Sequence, residues 1–298
     1  VSFLVSGIFT AGKRNSFHMI KENSLNIVRI FFIILLSGLG AIGIFISLII
    51  GLVVSMIIGF ILMFKLWKYK PTLSFDPMIK KMVGFSVGNH IAGIFYNLPR
   101  FMLPIMVINF ISTEYTGYFF IAMTIASLLY GIPAAVSGPF LVESSDKDKF
   151  WNNVNKTVKF NIYLLIPGLL VFMIFGKIVL NMFDPTYADN AWTTLIILSM
   201  VSIPQALIVI FSTVRSAQKR VTMTIIVNGI VAAITFILAI PLMKMWSIEG
   251  AAISYLIANT IVAVVIIFRM ENPIEFSIRL IKGDKECDIE GNKNVIPI

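Results

Sequence analysis

The sequence has few charged residues and only one cysteine. Asp, Glu, Lys and Arg make up 13% of its 298 residues, whereas apolar residues make up 58%. Soluble domains average about 25% charged and roughly 45–50% apolar residues. A chain this poor in charge is neither a soluble enzyme nor a disordered protein. The single cysteine, Cys287, excludes an internal disulfide and with it a disulfide-stapled secreted module.

Sequence patterns typical of catalysis are also missing. With 2 His and 1 Cys the sequence offers no zinc-ligand cluster, and no GxxxxGK[ST] phosphate loop is present. Apart from Glu249 at the very start of the last run, no Asp or Glu lies inside a complete apolar run, so paired-acid chemistry and intramembrane proteolysis lack their groups. We therefore expect a protein that is not an enzyme and that carries no cofactor or metal.

Long apolar runs dominate the sequence. A helix needs roughly 20 mostly apolar residues to cross a bilayer core about 30 Å thick. Eight complete spans are predicted, at 24–39, 42–64, 82–110, 116–140, 156–183, 191–214, 222–243 and 248–270. Residues 1–11 are interpreted as the end of a further, partial span, and because residue 1 is Val we expect an N-terminally truncated chain. The predicted fold is an all-α, polytopic transmembrane helix bundle.

The basic residues alternate between the segments that connect these spans. Short loops rich in Lys and Arg stay in the cytoplasm, and 21 of the 24 Lys and Arg residues fall in alternate segments, counting Lys21 and Arg29 in the first. The opposite loops carry acids, such as Glu114 and Asp184. This pattern predicts a multi-pass protein of the plasma (inner) membrane with a cytoplasmic C-terminus, and it removes the reason to expect nucleic acid as a partner.

A short repeat divides the chain. Ala11-Gly12-Lys13-Arg14 precedes Gly40-Ala41 much as Ala217-Gln218-Lys219-Arg220 precedes Gly250-Ala251, in the same predicted orientation. Such a parallel repeat is typical of two-lobe transporters. We predict the end of an N-terminal lobe at 1–70, a cytoplasmic linker at 71–81, a six-helix C-terminal lobe at 82–270 and a cytoplasmic tail at 271–298.

Arg100 is the most informative polar residue within the spans. A cation near the centre of a bilayer costs about 2.5–3.5 kcal/mol on insertion scales, so Arg100 should avoid lipid. Asn89 or His90, Asn97 and Arg100 recur at helical spacing on one face, which predicts a polar lining for a hydrated cavity. Two readings stay open for Arg100: contact with an anionic ligand, or structural bonding to carbonyls freed by Pro99 and Pro104 or to an acid elsewhere.

Other polar residues lie inside later spans. Gln205, Asn228 and Asn259 could each simply bond a neighbouring helix, which contributes about 0.6 kcal/mol in membranes. Their recurrence in several helices of one predicted lobe favours a shared polar cavity. The candidate substrate-contacting residues are therefore Arg100, Asn97, His90, Asn89, Gln205, Asn228 and Asn259.

Several segments together resemble one transporter family. They are Tyr115–Ala122, Gly131-Ile132-Pro133, the turn Met182–Ala188, the helix end Arg215–Arg220 and Ile248–Ala252. In order and spacing they are similar to polysaccharide-type flippases of the multidrug/oligosaccharidyl-lipid/polysaccharide exporter superfamily, which include O-antigen and S-layer glycan flippases. One departure is Asp184-Pro185-Thr186, where the family usually has Gly before Tyr.

The resemblance implies a flippase that moves a lipid-linked oligosaccharide, a sugar on a polyprenyl phosphate or pyrophosphate, across the plasma membrane for surface-glycan biosynthesis. It also implies membrane lipids, glycosyltransferases and a glycan polymerase of the same pathway as partners. Two alternatives remain: a cation-coupled multidrug exporter of the same superfamily, and a membrane-embedded glycan polymerase or acyltransferase. The latter would need a large outer loop, and the predicted outer loops are short.

Overall fold

A computed structural model describes residues 5–6, 8–9, 15–66, 77–143, 150–218 and 220–269, and in these residues it contains no β-strand. The helices are α1 (Asn15–Leu35), α2 (Gly40–Ile61), α3 (Pro77–Phe110), α4 (Thr113–Glu143), α5 (Phe150–Asn181), α6 (Pro185–Asn190), α7 (Trp192–Ala217) and α8 (Val221–Arg269). A 3-10 turn, Ser37–Leu39, precedes α2, and a π-helical turn, Leu62–Leu66, follows it.

Six helices among the described residues are long and apolar enough to cross a membrane. They lie at Ser37–Lys65, Val83–Phe110, Thr113–Ser137, Lys156–Asn181, Trp192–Ser216 and Val221–Phe268. The last contains a backbone break at Trp246 and Ser247, which separates the two spans predicted there. The prediction of an all-α transmembrane bundle is therefore confirmed.

The prediction for α1 is wrong at its N-terminal end. The helix begins at Asn15 and not near residue 24, so Lys21 and Arg29 lie on α1 and not in a connecting loop. Their charges had been interpreted as marking a cytoplasmic segment. Together with Glu22 they also interrupt the apolar sequence of α1, and α1 is accordingly not among the six membrane-capable helices.

The chain divides into two compact units, residues Val1–Asp76 and Pro77–Ile298. Most of the predicted partial span, the whole Ala11–Arg14 motif and residues 71–76 of the predicted linker lie outside the described residues. The predicted tail after residue 270 lies outside them as well. The start of α3 at Pro77 places 77–81 in a helix. The lobe boundaries at 70, 81 and 270 remain predictions.

The C-terminal unit is built around one apolar core. Leu103, Phe119, Leu195 and Ile248, from α3, α4, α7 and α8, are completely buried in it. Apolar side chains such as Phe101 and Leu128 are instead 68% exposed, as expected for helices surrounded by lipid. The unit is thus a helix bundle in which α7 and α8 supply much of the interior.

Each unit contains the same backbone break before a helix that carries small residues. Gly40 has φ 58° and ψ −135°, and Ser247 has φ 51° and ψ −132°. Three residues later, a glycine packs directly on a backbone carbonyl of the preceding segment: Gly43 on Leu36 and Gly250 on Leu242. A side chain at either glycine would collide with that carbonyl, which explains why glycine is required at both.

The matching breaks correct the register of the sequence repeat. The structural equivalents are Gly40 with Ser247 and Gly43 with Gly250, three residues away from the Gly-Ala pairing read from the sequence. The next turn agrees, because the Ser47 and Ser254 hydroxyls each donate to the carbonyl three residues earlier, at 2.7 Å. The local backbone match therefore pairs Gly43 with Gly250, whereas the sequence motif pairs Gly40 with Gly250, and residues 11–14 of that motif lie outside the described residues.

Candidate functional site

A buried polar cluster joins three helices of the C-terminal unit. Gln205 of α7, 2% exposed, donates from Nε2 to the Tyr96 hydroxyl of α3 at 3.0 Å and to the Tyr255 hydroxyl of α8 at 3.4 Å. Asn228 of α8 donates to the Ala92 carbonyl of α3 at 3.0 Å. Pro204, directly before Gln205, interrupts the α7 ladder at this level. The cluster therefore ties α3, α7 and α8 together through side chains.

A small cavity lies at the centre of this cluster. Its lining consists of Phe95, Tyr96, Gln205, Ile208, Asn228, Val231, Tyr255 and Asn259. The space open to the centre of a water molecule is about 10 Å³, the size needed for one water. Gln205 Oε1 is buried and accepts no hydrogen bond from the described residues. A single water that donates to this oxygen would complete its hydrogen bonding.

Arg100 sits one turn from Tyr96 on α3. Its guanidinium carbon lies 5.7 Å from the centre of the Tyr130 ring of α4, a cation–π arrangement. Tyr130 is itself fixed, because its hydroxyl donates to the Leu198 carbonyl of α7 at 2.6 Å and its ring meets Tyr255 edge-on at 6.3 Å. Arg100 is half-buried on an aromatic support that two other helices hold in place.

The guanidinium N–H groups of Arg100 have no hydrogen-bond or ion-pair partner among the described residues. Lys177, by contrast, forms an ion pair with Asp189 at 3.5 Å. The backbone carbonyls freed by Pro99 and Pro104 accept no hydrogen bond from the Arg100 guanidinium. Gly93, two turns earlier on the same face, borders open space, since an added Cβ would meet no atom within 4 Å. The arrangement leaves a fixed positive charge with open donors beside a polar stripe.

The predicted residues separate into two groups. Gln205, Asn228 and Asn259 line the small cavity, which has room for one water molecule, and contact of these residues with substrate stays a prediction. Arg100 and Asn97 lie half-buried on α3, where Asn97 donates to the Gly93 carbonyl of its own helix at 2.9 Å. The remaining two are further along α3: Asn89 accepts from the Ser216 hydroxyl at 3.3 Å, and His90 is exposed. Neither of these two lines the cavity.

Three tyrosines of the site were missed by the sequence interpretation. Tyr96, Tyr130 and Tyr255 had been counted as apolar residues of their spans. A signal was present, because a hydroxyl in the middle of an apolar helix normally finds a hydrogen-bond partner and thus marks a polar interior. Tyr96 also precedes Arg100 by four residues, which places both side chains on one helix face.

The chemistry available at this site is recognition. Its groups are neutral amides, hydroxyls and one guanidinium, which suit hydrogen bonding and contact with an anion. No cluster of three or more His, Cys, Asp or Glu that would hold a metal occurs in the part of the chain that the structure describes.

Comparison with known proteins places the chain in a family. A family model described as "Polysaccharide biosynthesis protein" matches residues 11–192, more than half of the sequence. The chain belongs to this polysaccharide biosynthesis family. The matched region includes α3, Arg100 and Tyr130, whereas Gln205, Asn228 and Asn259 lie beyond it. No curated protein matches the sequence.

Solved structures give the fold of this family member. It is similar to a MATE protein in the straight conformation, with a TM-score of 0.75 at 15% identity, and to the lipid II flippase MurJ in an inward closed conformation, with a TM-score of 0.67 at 17% identity. An outward-facing multidrug resistance MATE transporter of the MOP superfamily gives 0.73 at 14% identity. The matches cover 94% of this chain but only 66%, 64% and 66% of those chains. The chain therefore shares the fold of these three proteins, and its apolar helices make it a multi-pass membrane protein.

Proposed function

We propose that the protein is a flippase for a lipid-linked oligosaccharide in polysaccharide or surface-glycan biosynthesis, and not an enzyme. The sugar on its polyprenyl phosphate or pyrophosphate would move from the cytoplasmic to the outer leaflet of the plasma membrane by alternating access. Membership of a polysaccharide biosynthesis family and a fold shared with a lipid II flippase support this proposal.

The observation that carries the proposal is the open guanidinium of Arg100. A cation in an apolar span needs a compensating negative charge, and the described residues supply none to Arg100. Phosphate oxygens match a guanidinium in two parallel hydrogen bonds. We infer that Arg100 holds the phosphate or pyrophosphate of the substrate while the lipid chain stays in the bilayer.

Multidrug export is the competing function, favoured by the similarity to MATE structures. A cationic drug would be repelled by Arg100, and the described site contributes no carboxylate to bind it. The electrostatics of the C-terminal unit therefore favour an anionic substrate over a cationic one.

Replacing Arg100 in the chromosomal gene tests the proposal. Arg100→Ala should abolish export of the surface glycan while the amount of protein in the membrane is unchanged, because the guanidinium has no hydrogen-bond partner whose loss would unfold the bundle. Lys177→Ala is the matched control, since Lys177 is 57% exposed and pairs only with exposed Asp189 at 3.5 Å. Normal export by Arg100→Ala, or an equal loss in both variants, would contradict the role of Arg100.

A further inference from the structure

Helix α5 has a groove on its exposed side. The space in it that is open to the centres of water molecules is about 350 Å³, within the range of about 300–1,000 Å³ found for small-molecule pockets. Its lining consists of Lys159, Ile162, Tyr163, Ile166 and Pro167. All of these are exposed, whereas Asn161 and Leu165, on the other side of the helix, are buried. Because α5 is long and apolar enough to cross a membrane, the groove opens toward lipid.

Two lysines lie at the N-terminal end of this groove. Lys159 lines it, and Lys156, three residues earlier on the same helix face, is also exposed. Neither ammonium group has an ion-pair partner among the residues that the structure describes. Lys177, near the other end of α5, is by contrast paired with Asp189 at 3.5 Å. The described residues thus leave two positive charges uncompensated at one end of the groove.

Tyr163 adds a neutral hydrogen-bonding group beside these charges. It follows Lys159 by four residues, so the two side chains are neighbours on the helix surface. The tyrosine is 75% exposed, and tyrosine is enriched where a helix passes from hydrocarbon into the headgroup region. Two ammonium groups and one hydroxyl within two turns of α5 are donors that suit a phosphate diester.

An apolar ridge continues the groove away from the lysines. It consists of Ile162, Ile166, Leu170 and Ile174, each more than half exposed. Residues four apart form one ridge on a helix surface, and at about 1.5 Å per residue this ridge is about 18 Å long. One leaflet of a hydrocarbon core about 30 Å thick has a similar depth. The ridge therefore matches the extent of one acyl chain below a headgroup held at the lysines.

We propose that this groove binds an anionic phospholipid of the membrane, such as phosphatidylglycerol. The two lysines pair with its phosphate diester, the Tyr163 hydroxyl donates to a headgroup oxygen, and one acyl chain lies along the apolar ridge. A zwitterionic phospholipid fits less well, because its own ammonium group neutralises the phosphate. The site does not depend on the proposed transport function, since α5 contributes no residue to the cavity at Gln205 and Arg100 lies on α3.

Native mass spectrometry of the purified full chain, with phosphatidylglycerol titrated against phosphatidylcholine, measures the affinity for the first bound anionic lipid. One lysine near an anionic lipid surface contributes about fivefold in affinity. Lys159→Gln should therefore bind about fivefold more weakly, and Lys156→Gln combined with Lys159→Gln about 25-fold more weakly. Lys159→Arg keeps the charge and should bind as the wild type does. Lys177→Gln is the matched control on the same helix, and its affinity should be unchanged.

A phosphatidylglycerol with a photoreactive acyl chain locates the site and should label the peptide that contains Ile166 and Leu170. Equal affinities of the wild type and the double variant, or labelling confined to other helices, would overturn the proposal. In phosphatidylcholine nanodiscs the lysine variants should unfold at the wild-type temperature. A lower temperature for Lys159→Gln would show that Lys159 is paired within the protein and would also overturn the proposal.

Competition distinguishes a membrane phospholipid from other sources of phosphate. Neither inorganic phosphate nor farnesyl pyrophosphate, a short polyprenyl pyrophosphate, should displace phosphatidylglycerol at equal concentration. Displacement by inorganic phosphate would remove the role of the apolar ridge, and displacement by farnesyl pyrophosphate would assign the groove to a polyprenyl lipid. Either result would contradict a site for membrane phospholipid.

Discussion

Two substitutions of Tyr130 separate the effect of its ring on Arg100 from the effect of its hydroxyl on stability. Tyr130→Phe keeps the ring 5.7 Å from the guanidinium carbon and removes only the hydroxyl that donates to Leu198. Tyr130→Leu removes both. If the ring positions Arg100 for substrate, only the leucine variant should bind the substrate headgroup more weakly.

The expected sizes follow from the geometry. A cation–π contact contributes about 0.5–1 kcal/mol when exposed and about 2 kcal/mol when desolvated, so half-buried Arg100 should have about 1 kcal/mol from it. That amount corresponds to roughly fivefold in affinity. The hydroxyl bond inside the bundle should contribute about 0.6 and at most about 1.7 kcal/mol to stability, and both variants should lose it.

Farnesyl pyrophosphate binding and thermal unfolding of the same nanodisc samples provide the assay. We expect both variants to unfold at a lower temperature than the wild type, and only Tyr130→Leu to bind about fivefold more weakly. Equal affinities of the two variants, whether both reduced or both unchanged, would refute the positioning role of the ring.

Three further predictions concern the fold. Gly250→Ala should destabilise the protein by about 1–3 kcal/mol, as overpacking does, because the added Cβ would collide with the Leu242 carbonyl. The control is Gly229→Ala, whose added Cβ meets open space, and this variant should unfold at the wild-type temperature or slightly above. Ser247→Gly should raise the free energy of unfolding by roughly 1 kcal/mol, since a positive φ of 51° strains serine and not glycine. An unchanged or lower free energy of unfolding would contradict the backbone strain at Ser247. Asp184 caps α6, and its hydrogen bonds from the Thr186 hydroxyl and amide lower the pKa of its carboxyl. The Asp184 cap therefore contributes its full stability above the usual carboxyl pKa and loses that contribution as the pH falls through the lowered pKa. The unfolding temperatures of the wild type and of Asp184→Ala should accordingly converge in acid. A difference that stays constant with pH would argue against the cap.

The sequence predicted most of the helices because their apolar runs are long and uninterrupted. The predicted spans from residue 82 onward match α3, α4, α5, α7 and the two halves of α8 within several residues at most ends, and the break in α8 at Trp246 agrees with the two spans predicted there. The short helix α6 was not predicted. The start of α1 was wrong for a physical reason: sequence does not reveal whether a charge is solvated or paired. Lys21 resembles a loop cation until Glu22 and Ser6 are seen at 2.9 Å.

The candidate site was predictable in part. Amides within apolar spans identified Gln205, Asn228 and Asn259, which the structure brings together around one cavity. The tyrosines were not identified, because a residue with a large apolar ring raises the apolar content of a span and conceals its hydroxyl. The support of Arg100 depends on Tyr130, thirty positions away on another helix, and a contact of that kind follows from packing alone.

The central claim, transport of a lipid-linked oligosaccharide through contact with Arg100, is tested most directly in reconstituted vesicles. A fluorescent polyprenyl pyrophosphate sugar is placed in both leaflets, and its exposure to an impermeant quencher is followed over time. The account predicts that the wild-type protein moves the quencher-protected pool outward rapidly and that Arg100→Ala moves it no faster than protein-free vesicles do. Identical rates for wild type and protein-free vesicles, or undiminished transport by Arg100→Ala, would contradict it.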